Sequence, residues 1–264
     1  MHRGPLPCDA NSARRRRAAW RCGVALAIAT PRVAEAAERD PPRHEESAWV
    51  AYMSDWVFHP KGSVWLDAHY NVRAFGVLRG GLTYRTRPGP SFTGGYGHVW
   101  TDRGTGTLER REHRPWAQVV FPLRIDADWG FTQRIRYELR IREHLRGGLP
   151  DGNWDVLHRV RFQTAITYKL PPLPAGAPFL QLADEVLVHL GPRAGPNYLD
   201  QNRLSLALGW TERNFTVRLG YMHRFSPGVS GLVHVHEHGL ILWFNHTIEF
   251  RRRRTASPPE AANP

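Results

Sequence analysis

The chain has 264 residues, 41% hydrophobic, 11% aromatic and 23% charged, with 24 Gly, 21 Pro and 2 Cys. That composition is too apolar and aromatic for a wholly disordered protein, and no run reaches the ~18 uncharged apolar residues that a spanning helix needs. The net charge of +12 gathers at the ends, with +5 in residues 1–37 and +3 after Phe250, leaving +4 for 38–250; this is not the single basic face, interleaved with aromatics, that nucleic-acid binding requires.

The N-terminus has the parts of an export signal. Arg14, Arg15, Arg16, Arg17 and Arg21 form a basic region, Cys22 to Thr30 a short apolar one, and Ala34-Glu35-Ala36 offers small residues for cleavage. Residues 1–37 are therefore expected to be a cleaved signal peptide, with 38–46 a short periplasmic lead-in. Cys8 and Cys22 both fall in the leader, so the mature chain would have neither disulfides nor cysteine-bound zinc. Such a chain fits the envelope of a Gram-negative bacterium.

From Trp49 onward the pattern is alternation. Val64, Leu66, Ala68, Tyr70 and Val72 interleave with Asp67, His69, Asn71 and Arg73. Next come Ile135, Tyr137, Leu139 and Ile141 against Arg134, Arg136, Glu138, Arg140 and Arg142, and then Val160, Phe162 and Ile166 against Arg159, Arg161 and Gln163. Leu204, Leu206, Leu208 and Trp210 alternate with Arg203 and Ser205, and Phe215, Val217, Leu219 and Tyr221 with Thr216, Arg218 and Gly220. A period of two places the two sets on opposite faces of a strand; wound as helices, these segments would spread Arg and Leu around the whole cylinder.

Turn signals separate the strands at 59–62, 87–90, 126–130, 171–178 and 211–214, and longer Gly- and Asp-containing gaps alternate with them. Short and long connections in alternation, between strands of about ten residues, are the pattern of an up-and-down transmembrane barrel. About eleven strands can be placed. Both ends of a bacterial barrel are expected in the periplasm, which demands an even number, so twelve strands are predicted, with ten as the second choice. The predicted fold is all-β: a single antiparallel barrel over 47–250, followed by a basic, Pro-rich, disordered tail at 251–264.

Alternation alone does not say which face points outward. A soluble barrel turns its apolar face to an internal ligand, whereas a membrane barrel turns it to lipid. Three features favour lipid. The polar face carries both signs of charge on successive strands, at Glu112, Arg114, Arg134, Arg136, Glu138, Arg140, Arg142, Arg159, Arg161, Glu185 and Arg203, where guanidinium forks could meet carboxylates in a shared lumen. Trp56, Tyr84, Trp100, Trp116, Trp129, Tyr168, Trp210 and Tyr221 lie near strand ends, as interfacial girdles require. The run Glu237 to Phe244, or Phe250 beyond it, has the character of a terminal strand signal for outer-membrane assembly.

The residues Leu78 to Tyr84, Gly94-Gly95-Tyr96, Glu112 to Gln118, Arg134 to Arg140, Arg159-Val160-Arg161, Asp184-Glu185, Asp200 to Arg203 and Leu219-Gly220-Tyr221 occur in an order that resembles the uncharacterised Gram-negative family known as domain of unknown function 2490. The resemblance spans roughly 47–250. It implies an outer-membrane barrel with a charged interior, and it brings no activity or ligand. The Arg-rich leader and the tail after Phe250 depart from the family's pattern.

No nucleophile elbow, phosphate loop or His-Glu-x-x-His run is present, so no catalytic residue and no cofactor are assigned. His234, His236 and His238 share one strand face and could present a metal, but no carboxylate or cysteine partner can be assigned, so no metal residue is assigned either. The expected role is an integral outer-membrane barrel whose charged lumen is structural or forms a narrow, anion-favouring pore. The alternatives are a lipid-modifying enzyme, with His144, Asp151, Asp155 and His158 near one rim loop, and a soluble periplasmic ligand-binding barrel. The expected partners are outer-membrane lipid and the barrel assembly machinery, with no nucleic acid; the oligomeric state cannot be read.

Overall fold

Segments with two-residue periodicity become strands, because extended backbone sends successive side chains to opposite faces. The computed structural model describes residues 41–72, 74–86, 88–102, 108–191, 198–227 and 234–250; the expected signal peptide, with both cysteines, and the expected tail at 251–264 lie outside the described residues. The strands are β1 (Arg43–His59), β2 (Gly62–Asn71), β3 (Phe75–Arg85), β4 (Ser91–Asp102), β5 (Leu108–Arg124) and β6 (Trp129–Arg146). They continue as β7 (Leu149–Lys169), β8 (Ala177–Leu190), β9 (Leu199–Glu212), β10 (Phe215–Pro227) and β11 (His234–Glu249). No helix occurs among the described residues.

Each strand pairs antiparallel with the next, and β1 meets β11 to close the barrel. This closure is parallel, in register from Arg43 beside Val235 to Val57 beside Glu249. The described wall therefore has eleven strands, not twelve or ten, and it is antiparallel everywhere except at one seam. The even number presumed that the first and last strands run in opposite directions; here they run the same way. β1 also begins at Arg43, ahead of the expected start at 47.

The rim at which β1 ends carries the tight connections after β1 and β9, where Arg213 takes φ 50°. At the other rim, Gly147 and Gly148 turn β6 into β7 with φ of 63° and 86°, the pair of positive values that a two-residue hairpin needs.

Inside, Trp49, Ala207, Met222 and Ile241 form a small apolar cluster with Phe75 and Trp243 against it. A second contact depends on missing side chains. Gly81 of β3 pairs with Gly95 of β4. A methyl group on Gly95 would lie 2.0 Å from the Gly80 carbonyl oxygen, and one on Gly81 would lie 3.1 Å from the Trp116 indole. Backbone cannot step aside as a flexible side chain can, so Gly95→Ala is expected to cost about 1–3 kcal/mol, as overpacked sites do. A drop in the urea midpoint of the refolded barrel measures it, and an unchanged midpoint contradicts this close approach.

An interior charge network as the candidate functional site

The inward face of each strand follows from parity. On β6 the even residues point in and the odd ones out: Arg136 and Glu138 are buried while Ile135 and Tyr137 are exposed. The same alternation turns Glu112, Arg114 and Trp116 inward on β5, Arg159 and Arg161 on β7, and Glu185 on β8.

Ten of the eleven predicted lumen charges meet in one continuous network. Glu112 accepts hydrogen bonds from Arg114 (2.8 Å) and from the fork of Arg140 (2.7 and 2.9 Å). Glu138 accepts from Arg159 Nε at 2.9 Å and from Arg161 Nη1 at 2.9 Å, with Arg136 at 3.8 Å and Arg114 at 3.9 Å. Arg161 continues to Glu185 (2.7 Å), which also holds Arg134 (2.6 Å) and Arg203 (3.4 Å). The eleventh, Arg142, stands beside this chain, 4.0 Å from Asp155, which Arg110 approaches to 3.7 Å.

Parity also places Asp67, Asp55 and Glu237 inward, none of them in the expected network, while Asp200, even-numbered on a strand whose odd residues face in, joins them through a β-bulge opposite Leu187 and Val188. Asp67 holds Arg79 through two bonds of 2.8 and 2.7 Å, Asp55 pairs with Arg85, and Asp200 receives Arg159 Nη1 at 2.6 Å. Glu237 fastens the parallel seam from within, accepting from Ser47 (2.5 Å), Trp49 (2.9 Å) and Asn71 (3.1 Å) while pairing with Arg224. Further contacts cross the interior: the Arg136 guanidinium lies 4.7 Å over Trp116 and 5.9 Å from Trp65 of β2, and Arg203 lies 5.0 Å over Trp49. Side chains from facing walls thus meet across the interior around a cavity of about 250 Å3.

The outer face is the inverse. Leu66, Leu78, Leu82, Phe162, Leu182, Leu206, Leu219 and Leu240 are all exposed. Four Tyr–His pairs stud it: Tyr96 with His113, Tyr137 with His158 (2.6 Å), Tyr221 with His238 (2.5 Å) and Tyr52 with His246 (3.1 Å). Of the girdle aromatics, Trp56, Tyr84, Trp129 and Tyr221 are exposed and Trp100, Tyr168 and Trp210 half-buried on this face. Trp116 is the exception: it is buried inside, edge-on to Trp65 at 5.2 Å. Its even number, shared with Glu112 and Arg114, is the signal that sets its direction. Phe250 stays exposed and packs on Trp56 at 6.0 Å.

His236 and His238 share the outer face and stack on His44 at 5.4 and 5.7 Å, while His223 lies 3.1 Å from His236 and His234 packs on Phe225. Among the described residues no group of three or more His, Cys, Asp or Glu side chains is arranged to hold a metal ion. The rim residues considered for an enzyme do not converge: His144 bonds Asp151 at 2.8 Å, Asp155 serves the inner arginines, and His158 bonds Tyr137.

No curated protein and no solved structure matches the chain. The model of a family described as "Protein of unknown function (DUF2490)" matches residues 46–232. The chain, an all-β closed barrel with a buried Arg/Glu network, belongs to that family.

Proposed function

We propose that the protein is an integral outer-membrane barrel whose interior is sealed by its own ion-paired side chains, a wall protein rather than an open channel. The observation that carries this is the inverted polarity: large apolar side chains on the outside, with Arg136, Glu138, Arg159, Arg161 and Glu185 buried within. In water such an exterior would be a contiguous apolar patch far beyond what soluble monomers expose. Against acyl chains it is the surface that a β-barrel needs, since closure leaves no backbone edge unpaired. The leader signal supplies the export route that this location requires.

The sealed interior is argued from size and charge. Barrels of this strand number have lumens that side chains can fill, and here guanidinium and carboxylate groups of successive strands pair in one network within it. The first test is cell fractionation combined with gel mobility before and after heating. A band in the outer-membrane fraction that shifts on boiling is expected, whereas recovery in the soluble periplasmic extract would refute the proposal. In planar bilayers the refolded barrel should be silent; steady anion-selective steps would replace the sealed wall with a pore.

A further inference from the structure

We propose that the interior cavity is a binding site for a small, multiply charged oxyanion, gripped by Arg134, Arg136 and Arg218. The site lies inside the barrel, in a cavity that is not fully enclosed, so an anion can enter it from one side without a through-channel, and it holds whichever compartment the barrel occupies.

Charge imbalance is the first observation. Eight arginines line the cavity of about 250 Å3, against the two carboxylates of Asp67 and Glu185, while Arg114, Arg159 and Arg161 also draw on Glu112, Glu138 and Asp200 behind the lining. Asp67 is committed to Arg79 by a two-bond fork. Glu185 is shared among Arg134, Arg161 and Arg203. Two further arginines have no carboxylate of their own. Arg218 bonds the amide oxygens of Gln181 (2.9 Å) and Asn245 (2.5 Å), and no ion pair to it is found among the described residues. Arg136 bonds the amide oxygen of Gln118 through Nε and Nη2, with Glu138 no nearer than 3.8 Å. An amide oxygen orients a guanidinium without neutralising it, so these positions hold aimed cations whose charge is left over.

Unused donors are the second observation. Arg134 Nε, Arg136 Nη1 and Arg218 Nε are buried and make no hydrogen bond, Arg136 Nη1 standing 3.8 Å from Glu138 Oε1, beyond hydrogen-bond reach. A buried donor without a partner is costly, and more so when charged. Aromatic rings back two of the three guanidiniums, with Arg136 4.7 Å from the Trp116 centroid and Arg218 5.3 Å from that of Trp243, and a guanidinium held against a ring keeps its in-plane fork for polar partners. An oxyanion answers both problems at once, since planar guanidinium forks match phosphate and carboxylate geometry. The volume lies below the ~300 Å3 at which drug-sized pockets begin, which selects a small anion.

The test is isothermal titration of the full barrel, refolded in non-ionic detergent, with inorganic phosphate and separately with malonate at matched ionic strength. Saturable binding of one phosphate or malonate per barrel is expected, and whichever binds tighter separates a phosphoryl from a dicarboxylate ligand. Arg218→Gln should weaken it at least tenfold, while Arg111→Gln, which removes an exterior pair with Glu143, should leave it unchanged. Arg134→Gln serves if Arg218→Gln does not refold. Absence of saturable binding of both anions to the wild-type barrel, more than one equivalent bound, or undiminished affinity in the folded variant would each overturn the site.

Discussion

Glu138→Ala is expected to lower the unfolding free energy of the refolded barrel by about 3–5 kcal/mol, the cost of removing one partner from a buried ion pair. Glu138 has no exposed surface and stands among Arg114, Arg136, Arg159 and Arg161. Its loss leaves several guanidiniums facing one another in a space from which water is largely excluded. The asymmetry matters here: a buried pair need not stabilise a fold relative to apolar side chains of similar volume, yet breaking one is expensive. The comparison is Arg111→Ala, whose half-exposed side chain pairs with Glu143 at 2.6 Å and should cost less than about 1 kcal/mol. Urea titrations of both variants decide the matter. Equal costs would mean that water reaches Glu138 freely and the interior is not sealed.

Leu206→Arg tests the other face and is expected to cost about 2–4 kcal/mol in a lipid bilayer, as arginine does near the midplane of a barrel wall. Leu206 is 55% exposed, lies midway along β9 and has Leu182 and Tyr221 as cross-strand neighbours. Were the exterior bathed in water, the same change would fall within ~0.5 kcal/mol, as surface substitutions usually do. Folding in phosphatidylcholine vesicles gives the number. A near-neutral result would place the apolar wall outside a membrane. Leu208, 54% exposed on the same strand, offers a repeat closer to the rim, where a smaller penalty is expected because the cost falls toward the interface.

Strands and their two faces could be read from the residues because period two is a local property that each segment carries by itself. That is why the Arg/Glu set from Glu112 to Arg203 meets inside the barrel. Trp116 is the converse case: the girdle pattern expects it at the interface, whereas its even number, shared with Glu112 and Arg114, turns it inward. Alternation places about eleven strands, the number in the described wall, and the even-number rule moves the prediction to twelve because alternation is blind to the direction in which β1 meets β11. Arg218 and Trp65 escaped for a different reason. Their partners, Gln181 and Asn245 for the one and Arg136 and Trp116 for the other, are distant in sequence. Only the curvature of the closed sheet brings these groups across the interior, and no spacing along the chain records it.

The seam between β1 and β11 has a mechanical corollary. Ten of the pairings join neighbours in the chain, so each can be laid down as soon as the next hairpin exists; the remaining one unites Arg43 with Val235 and must come last. Glu237, in the latest strand to emerge, then reaches back to Ser47, Trp49 and Asn71 near the beginning, like a keystone set after the arch has been raised. An odd number of traverses also delivers the polypeptide to the far side of its own wall. If the barrel spans a membrane as proposed, impermeant reagents should therefore reach Arg43 and Glu249 from opposite faces.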